Sequence, residues 1–294
     1  MAHDKHDLDG DNKDVDPIGG ILLSRSTYLG LAQDWLDPYG LPTVVAHENV
    51  RVVRDDFIVG TKARAADLLV SKMAEFVDTI VYVQPRVGLA GVSLIEVAKR
   101  HGKKVILFMP ACKEISTIQA CCIERGATPI FKRIAAMPNL NKAASEWADQ
   151  NGAFFVPLGL RHQYATAALV STAAYIPEPD HVWTAISTGV LSRALQIAWP
   201  HARFTGVAVA RNIHAGEAGR AHIISEPLAF EQEEKPENMP PFPSMKTYDA
   251  KVWKYVHKAP GNLFWNVGKE PELMDSDIYK TIKSNVDWSG NLIE

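Results

Sequence analysis

Short apolar, β-branched runs alternate with longer stretches of helical periodicity from about residue 50 onward. Residues 78–83 (DTIVYV) predict a buried strand, and residues 89–101 predict an amphipathic helix that ends at Gly102. Further strands are predicted at 105–109, 129–132, 153–156, 181–185 and 204–209, and further helices at 62–76, 114–125, 140–150, 163–174 and 188–198. Strands joined by helices of this length form right-handed crossover units, and continuous apolar strands are covered on both faces. The pattern therefore predicts an α/β fold with largely parallel sheets.

The composition excludes several functional classes. The chain has 31 basic and 34 acidic residues and a formal net charge of −3, so it has no overall positive field that would hold nucleic acid. Its three cysteines form no Cys-x-x-Cys pair or Cys/His ladder, which argues against a disulfide scaffold and predicts no metal site. The sequence contains no secretory signal and no long apolar run. We therefore expect a soluble, cytoplasmic protein with no membrane partner.

Two segments depart from the alternating pattern. Aspartates are concentrated in the first sixteen residues, and we interpret residues 1–20 as a disordered acidic tail. Beyond residue 225 the chain is acidic and rich in proline, and residues 239–243 (MPPFP) can form neither a helix nor a central strand. A surface loop is expected there, followed by a short helix at 249–257.

One junction between a strand and a helix could bind an anion, because ligands of parallel α/β sheets bind at the carboxyl ends of the strands. Ser187, Thr188, Gly189 and Val190 open the helix that follows the strand at 181–185. Backbone N–H groups and the helix dipole favour a phosphate at such a position. The alternative is that one of the two hydroxyls is an ordinary N-cap.

Two cations lie where a helix dipole disfavours them. Arg86, with Gly88 close to it, precedes the helix predicted at 89–101, so it either grips a carboxylate or phosphate or points into solvent. Lys62 lies in the first turn of the helix predicted at 62–76. A lysine that is buried or next to a phosphate can form a Schiff base with a carbonyl cofactor, whereas most lysines extend into solvent.

In this order and spacing, these features resemble one enzyme family. The segment from Leu41-Pro42-Thr43 through VRDDFIVGTKARAADLL is similar to the start of the pyridoxal-phosphate enzymes of fold type II, the tryptophan synthase β-like group. It is most similar to the branch of aminocyclopropane-carboxylate deaminase and D-cysteine desulfhydrase, and the resemblance covers roughly residues 40–257. Residues 241–253 are similar to a subgroup found in bacteria and phages.

The resemblance implies a fold, a cofactor and a site. Two parallel-sheet α/β lobes would hold pyridoxal 5′-phosphate between them. A small lobe at about 80–175 would be inserted into a large lobe of 21–79 and 176–260, with 261–294 as a C-terminal extension. Lys62 would carry the cofactor as a Schiff base, the loop 187–190 would hold its phosphate, and Ser244 or Thr247 would be the partner of the ring nitrogen. The family also implies a homodimer, in the host cytoplasm if the chain is phage-encoded.

The chain departs from the family pattern at two places. Val87 stands where the family carries an asparagine that contacts the hydroxyl of the cofactor ring. The loop 187–190 contains only Gly189, where the family has three or four glycines. The hydroxyls of Ser187 and Thr188 would then help to bind the phosphate.

The expected reaction is of lyase type. The cofactor supplies an electron sink, and Lys62 would act as a general base next to Cα of an amino acid or amino-acid-like group once burial lowers its pKa. Either the Cα–H bond or the Cα–carboxylate bond would be cleaved. Arg86, Gly88 and Tyr248 are the expected substrate contacts.

A narrower hypothesis concerns DNA, because related phage enzymes trim amino-acid groups from modified thymine. Lys251, Lys254 and Lys258 share one face of the predicted C-terminal helix and could meet DNA phosphates, with Tyr248 or Trp253 stacked on a base. The alternative is a solvated helix face with core aromatics. A different class of function is a non-catalytic module that binds a phosphosugar, a nucleotide or the cofactor, because the same fold and anion loop would serve it.

Overall fold

The computed structural model of the chain describes residues 23–278, except residues 113, 134, 135, 211, 212, 215 and 276. The tail predicted at 1–20 and the last residues of the predicted extension, 279–294, lie outside the described residues. Within the described part, no helix is long and apolar enough to cross a membrane.

Helices and strands alternate along most of the described chain, as the sequence pattern predicts. The helices are α1 (Arg25–Leu31), α2 (Thr61–Met73), α3 (Ala90–Arg100), α4 (Thr117–Glu124), α5 (Met137–Gln150), α6 (Gln163–Ala174), α7 (Val190–Ala198) and α8 (Ala250–Trp253). The strands are β1 (Val44–His47), β2 (Val50–Arg54), β3 (Thr79–Val83), β4 (Lys104–Pro110), β5 (Thr128–Lys132), β6 (Phe154–Phe155), β7 (His181–Ile186), β8 (Arg203–Ala208), β9 (His222–Ser225) and β10 (Asn262–Asn266). Short 3₁₀ turns occur at Asp55–Phe57, Leu158–Leu160 and Pro236–Asn238.

The strands of the predicted small lobe form a four-stranded parallel sheet in the order β5-β4-β3-β6. One face packs on α5, where Val81, Val83 and Phe108 join a buried cluster with Leu140 and Ala144. The other face packs on α3 and joins the main core of the molecule. Because both faces are covered, these strands read as continuous apolar runs in the sequence.

The larger sheet has the strand order β1-β2-β10-β7-β8-β9. β1 and β2 form an antiparallel hairpin, and the other neighbouring strands are parallel. The hairpin turns at Glu48 and Asn49, whose φ angles are 47° and 67°. Two consecutive positive φ angles are typical of a type I′ turn, whose twist matches that of the strands. The predicted α/β class with largely parallel sheets is confirmed.

The structure differs from the predicted lobe boundaries at two places. β10, which the prediction assigned to a C-terminal extension at 261–294, lies between β2 and β7 in the larger sheet. α6, which the prediction assigned to the small lobe, packs against α1, α2 and α7. A single five-residue strand after a proline-rich loop has too little periodicity to be recognised in the sequence. Its pairing partners β2 and β7 lie far back in the chain, so no local pattern indicates them either.

Candidate active site

A cavity of 360 Å³ lies where the carboxyl ends of β3, β7 and β10 approach one another. This is the edge at which parallel α/β folds bind their ligands. Tyr82 and Gln84 line it from the smaller sheet, and Ala185 and Val267 line it from the larger sheet. Of the described residues that line the cavity, Lys62 alone carries a charge.

Lys62 enters the cavity from the first turn of α2. Its Nζ donates a hydrogen bond to the carbonyl oxygen of Gly159 at 3.2 Å. Burial lowers the pKa of Lys62 to about 8, and the positive charge of Arg161 lowers it as well. The structure thus places Lys62 inside a cavity and not in solvent, with an amine that is partly neutral near physiological pH.

The N-terminus of α2, which carries Lys62, is fixed by a buried polar network. Asp55 accepts hydrogen bonds from Oγ1 of Thr61 at 2.7 Å and from Nε1 of Trp265 at 3.2 Å. Asp55 also forms an ion pair at 3.2 Å with Arg64, which lies one helical turn after Thr61 in α2. Because Trp265 belongs to β10, the strand that the sequence analysis missed also positions the candidate lysine.

The loop 187–190, between β7 and α7, forms another wall of the cavity, and all four of its residues line it. Gly189 is the N-cap of α7 and has a φ angle of 75°, without a side-chain capping hydrogen bond. The ordinary capping role that was left open for Ser187 or Thr188 is therefore not observed. A Cβ on Gly189 would lie 2.1 Å from the carbonyl oxygen of Glu217, so this position requires glycine. The N-terminus of a nine-residue helix at a cavity is suited to an anion.

A segment that sequence reasoning missed lies between these two walls. The 158–161 segment contains Gly159, with a φ angle of 77°, and the buried Leu160, with a φ angle of 60°. A left-handed conformation costs a leucine about 1–2 kcal/mol, so it persists only where neighbouring contacts fix it. A Cβ on Gly159 would lie 2.4 Å from Oγ1 of Thr188, which shows how closely this segment contacts the loop 187–190. In the sequence, only the run Pro157-Leu158-Gly159 marks this segment, and that run predicts a turn but no functional role.

The loop after β3 brings Gly88 and Val87 to the cavity. Gln84 is fully buried and holds this loop, because its Nε2 donates to the carbonyl oxygen of Gly88 at 3.1 Å. Its Oε1 accepts a hydrogen bond from the backbone N–H of Gly91 at 2.8 Å. Gln84 is not predictable as a site residue, since a glutamine at a strand end has no distinctive pattern.

Arg86 is not brought to the cavity, contrary to the substrate-binding role expected for it. Its Nε lies 3.2 Å from Oε2 of Glu231, and its Nη1 donates to the carbonyl oxygen of Glu114 at 2.8 Å. The guanidinium is therefore occupied by groups on two other segments. The contact of Arg86 with a substrate carboxylate or phosphate stays a prediction that this arrangement does not support, because Arg86 is outside the cavity lining and is already bonded to Glu231 and to the carbonyl oxygen of Glu114.

Of the candidates near the C-terminus, Tyr248 lines the cavity, whereas Ser244 and Thr247 are not among its lining residues. The hydroxyl of Ser244 donates to Oδ1 of Asn266 at 2.8 Å in a buried position. Burial raises the pKa of Tyr248, so its hydroxyl is neutral at physiological pH. The structure therefore does not bring the two proposed partners of a ring nitrogen to the site.

The lysine face expected to meet DNA phosphates is not present. Lys251 is fully buried and donates to two main-chain carbonyls, and Lys254 pairs with Glu234 at 2.6 Å. Nζ of Lys258 lies 3.3 Å from the ring centre of Trp253, which is itself packed in the core. The structure therefore does not support the predicted phosphate-contacting face, because its charges are used within the protein. The alternative is confirmed for its core aromatics but not for a solvated lysine face.

The remaining wall of the cavity is apolar and was also missed in the sequence. Its members share only their location, since they come from segments that are far apart in the chain. They include Leu89, Met137, Leu158, Leu169, Phe230 and Met245.

Comparison with known proteins identifies the fold. No protein-family profile and no curated protein matches the sequence. An ACC deaminase homologue is similar in structure, with a TM-score of 0.68 and 17% identity, and the match covers 82% of this chain and 94% of that chain. Maize serine racemase matches with a TM-score of 0.64 and 11% identity over 90% of this chain and 98% of that chain. A pyridoxal 5′-phosphate-dependent aspartate racemase matches with a TM-score of 0.58 and 9% identity over 84% of this chain and 95% of that chain.

At these identities the likeness establishes the fold. The chain has the two-lobe tryptophan synthase β-like fold of the fold type II enzymes, as the resemblance in its sequence predicted.

Proposed function

We propose that the protein is a pyridoxal 5′-phosphate-dependent enzyme of lyase type that acts on an amino acid. One observation carries the proposal: a lysine amine of low pKa and the N-terminus of α7 line the same cavity between the two sheets. An amine can hold an aldehyde covalently, and a helix N-terminus can hold a phosphate. The neighbours in structure named as a deaminase homologue and as racemases, one of them pyridoxal 5′-phosphate-dependent, support the same assignment.

The residues of the cavity fit this cofactor. Lys62 would hold its aldehyde carbon, and the backbone of Gly189 and Val190 with the hydroxyls of Ser187 and Thr188 would hold its phosphate. The close contact of Gly189 with the backbone of another loop leaves no room for a side chain, which is the construction expected where the backbone itself binds a phosphate. The apolar walls suit a flat aromatic ring.

The protein would supply a base and a largely apolar site for the chemistry. When bound, the cofactor withdraws electrons from the bonds at Cα of an amino acid joined to it. Lys62, released when the substrate amine takes its place at the aldehyde carbon, would be free to accept a proton from Cα. The carbonyl of Gly159, which accepts a hydrogen bond from Nζ at 3.2 Å, would orient this amine. The largely apolar lining disfavours the charged form of the amine. The reaction is cleavage at Cα, either of the Cα–H bond with elimination or of the Cα–carboxylate bond.

The substrate is assigned as a free amino acid. Its carboxylate would bind at the N-terminus of α3, beside Gly88, and Tyr248 would contact the rest of the molecule. An amino-acid-modified thymine in DNA stays a prediction of the sequence resemblance, and the lysines that would have met its phosphates are engaged elsewhere. A homodimer likewise stays a prediction.

The test is a titration of the purified protein with pyridoxal 5′-phosphate, in which the visible absorbance of the covalent lysine adduct is measured. We expect a saturable band for the natural chain and for Lys142→Ala, which changes an exposed lysine paired with Glu146. We expect no band for Lys62→Ala. Retention of the cofactor by the natural chain without a covalent adduct would instead favour the non-catalytic binding module.

A second measurement tests the reaction. The loaded protein is incubated with a panel of amino acids, and the release of ammonia and of carbon dioxide is followed. Ammonia release supports cleavage of the Cα–H bond, and carbon dioxide release supports cleavage of the Cα–carboxylate bond. If no amino acid reacts while Lys62 carries the cofactor, the lyase assignment fails and only the cofactor assignment stands.

A further inference from the structure

An ion pair between Arg161 and Glu217 lies next to the cavity, and neither residue is among those that line it. Nη2 of Arg161 bonds Oε1 of Glu217, whose side chain is 1% exposed. The other carboxylate oxygen accepts a hydrogen bond from the backbone N–H of His214 at 2.9 Å. A buried carboxylate with a guanidinium and a main-chain donor is held in one orientation.

Glu217 supports the loop 187–190. Its carbonyl oxygen lies within 2.1 Å of the place where a Cβ on Gly189 would be, so its backbone is packed directly on the N-cap of α7. Gln196 of α7 donates to the carbonyl oxygen of Ala218 at 2.9 Å and accepts from the backbone N–H of Arg220 at 2.8 Å. The loop that carries Glu217 is therefore attached to α7 and to the wall expected to bind phosphate.

Arg161 is attached to the other wall, which contains the lysine. It ends the 158–161 segment, whose Gly159 accepts the hydrogen bond of Lys62 and contacts Thr188. Leu160, between them, has the left-handed φ angle of 60° that neighbouring contacts must fix. Arg161 is the residue directly after Leu160, so its ion pair with Glu217 is one of the contacts that fix the backbone at this point.

The charge of Arg161 also acts on Lys62. Burial is the larger reason that the pKa of Lys62 falls, and the guanidinium of Arg161 is the second. Tyr82 and Tyr248 line the cavity from β3 and from the C-terminal side, and burial raises the pKa of both, so that both are neutral at pH 7. No carboxylate lies among the described lining residues.

We propose that Arg161 and Glu217 form a positioning pair, which holds the carbonyl of Gly159 against Lys62 and the backbone of the loop 187–190 in one fixed arrangement. Neither residue touches the reacting atoms. The inference rests on the proposed function for the identity of the ligand. The arrangement itself exists in the protein without a ligand, and it can be tested there.

The first test measures the reactivity of Lys62 in the cofactor-free protein by competitive acetylation and peptide mapping, from about pH 6 to about pH 11. Arg161→Met removes the nearby cation, so the pKa of Lys62 rises and acetylation at pH 7 slows about threefold. Glu217→Gln keeps the shape but leaves the guanidinium without its counter-charge, so the pKa falls and acetylation quickens about threefold. The difference between the two variants reports the charge of the pair, because any loosening would admit water and raise the pKa in both of them.

Two controls accompany these variants. Arg161→Lys retains the charge, so it is expected to label at close to the natural rate. Glu146→Gln removes one member of an exposed ion pair, with Lys142, and is expected to change nothing. Reactivity of Lys62 that is the same in Arg161→Met, in Glu217→Gln and in the natural chain would overturn the proposal.

The second test measures the support of the loop 187–190, as the ratio of affinities for pyridoxal 5′-phosphate and for pyridoxal. This ratio measures the contribution of the phosphate to binding, because the two ligands differ only in that group. Arg161→Met and Glu217→Gln are both expected to reduce the ratio about tenfold, because the loop 187–190 loses its support. An unchanged ratio would contradict the positioning of the loop. If the natural chain forms no covalent adduct, the proposed function fails, and the acetylation of Lys62 still decides whether the pair positions the amine.

Discussion

At the scale of the residue, the site depends on the surroundings of one amine. A lysine in water has a pKa of about 10.4. That of Lys62 is about 8, because burial disfavours the ammonium and Arg161 adds a second positive charge nearby. This environment was not visible in the sequence, in which Lys62 differed from other lysines only by its place in the first turn of a helix.

The lowered pKa sets the pH dependence of covalent binding. The neutral amine is the reactive form, so the rate at which pyridoxal 5′-phosphate attaches should rise about tenfold for each pH unit below pH 8 and level off above it. Stopped-flow absorbance at a series of pH values measures this rate. A rate that keeps rising toward pH 10 would show that Lys62 titrates as an ordinary exposed lysine.

Gly189 offers a second prediction at this scale. Gly189→Ala places a Cβ against a backbone oxygen in a left-handed conformation, so we expect a loss of about 3 kcal/mol or more in the free energy of unfolding. Gly152→Ala is the matched control, because Gly152 has a φ angle of 61° but open space around it. It should lose only about 1 kcal/mol, from the backbone conformation alone.

Urea unfolding of both glycine variants gives the comparison. Equal losses would mean that the contact between Gly189 and Glu217 is not tight in solution. In that case the backbone cradle for a phosphate would also be in doubt.

At the scale of the element, local patterns predicted most of the architecture, and they failed where a partner is distant. α2, α3, α6 and α7 were predicted within a few residues of their bounds, because periodicity and the glycines that follow helices are local signals. Lys62 and the loop 187–190 could be singled out in the sequence because each lies at a helix start. The pairing of Arg86 with Glu231 could not be predicted, because the two residues lie 145 positions apart and no local pattern shows such a contact.

The segment that carries Phe230 to the cavity is held by Lys251 of α8, so a substitution of this lysine tests the attachment. Its Nζ donates to the carbonyl oxygens of Ala229 at 2.8 Å and of Phe230 at 3.3 Å. Lys251→Met leaves these carbonyls without that donor, so we expect a loss of about 2 kcal/mol in the free energy of unfolding. Chemical denaturation measures it.

Lys246→Met is the control for Lys251→Met. Lys246 pairs with Glu233, and both side chains are about half exposed, so its loss should stay within about 0.5 kcal/mol. Equal losses for the two variants would contradict the assigned role of the buried lysine.

At the scale of the whole molecule, the larger sheet is completed from the far end of the described chain. β10 lies between β2 and β7, and Leu263, Phe264 and Trp265 are fully buried. Without β10, the sheet would be divided between β2 and β7. The two lobes were predictable because crossover units repeat along the sequence. The closing strand was not, since one short apolar run does not by itself mark such a unit.

A chain that ends at residue 260 tests this arrangement. It lacks β10 and the indole that bonds Asp55, so we expect it to lose the cooperative unfolding transition of the full chain. Calorimetry or circular dichroism during heating would detect the loss. A cooperative transition in the shortened chain would show that β10 is an addition to the fold and not its centre.

The central claim is that Nζ of Lys62 holds a pyridoxal cofactor in the cavity between the two sheets. Reduction of the loaded protein with borohydride, followed by mass-spectrometric peptide mapping, tests it most directly. We expect one reduced pyridoxyl adduct, located on Lys62 and absent from Lys62→Ala. An adduct located on another lysine, or a protein that carries none after saturation, would contradict it.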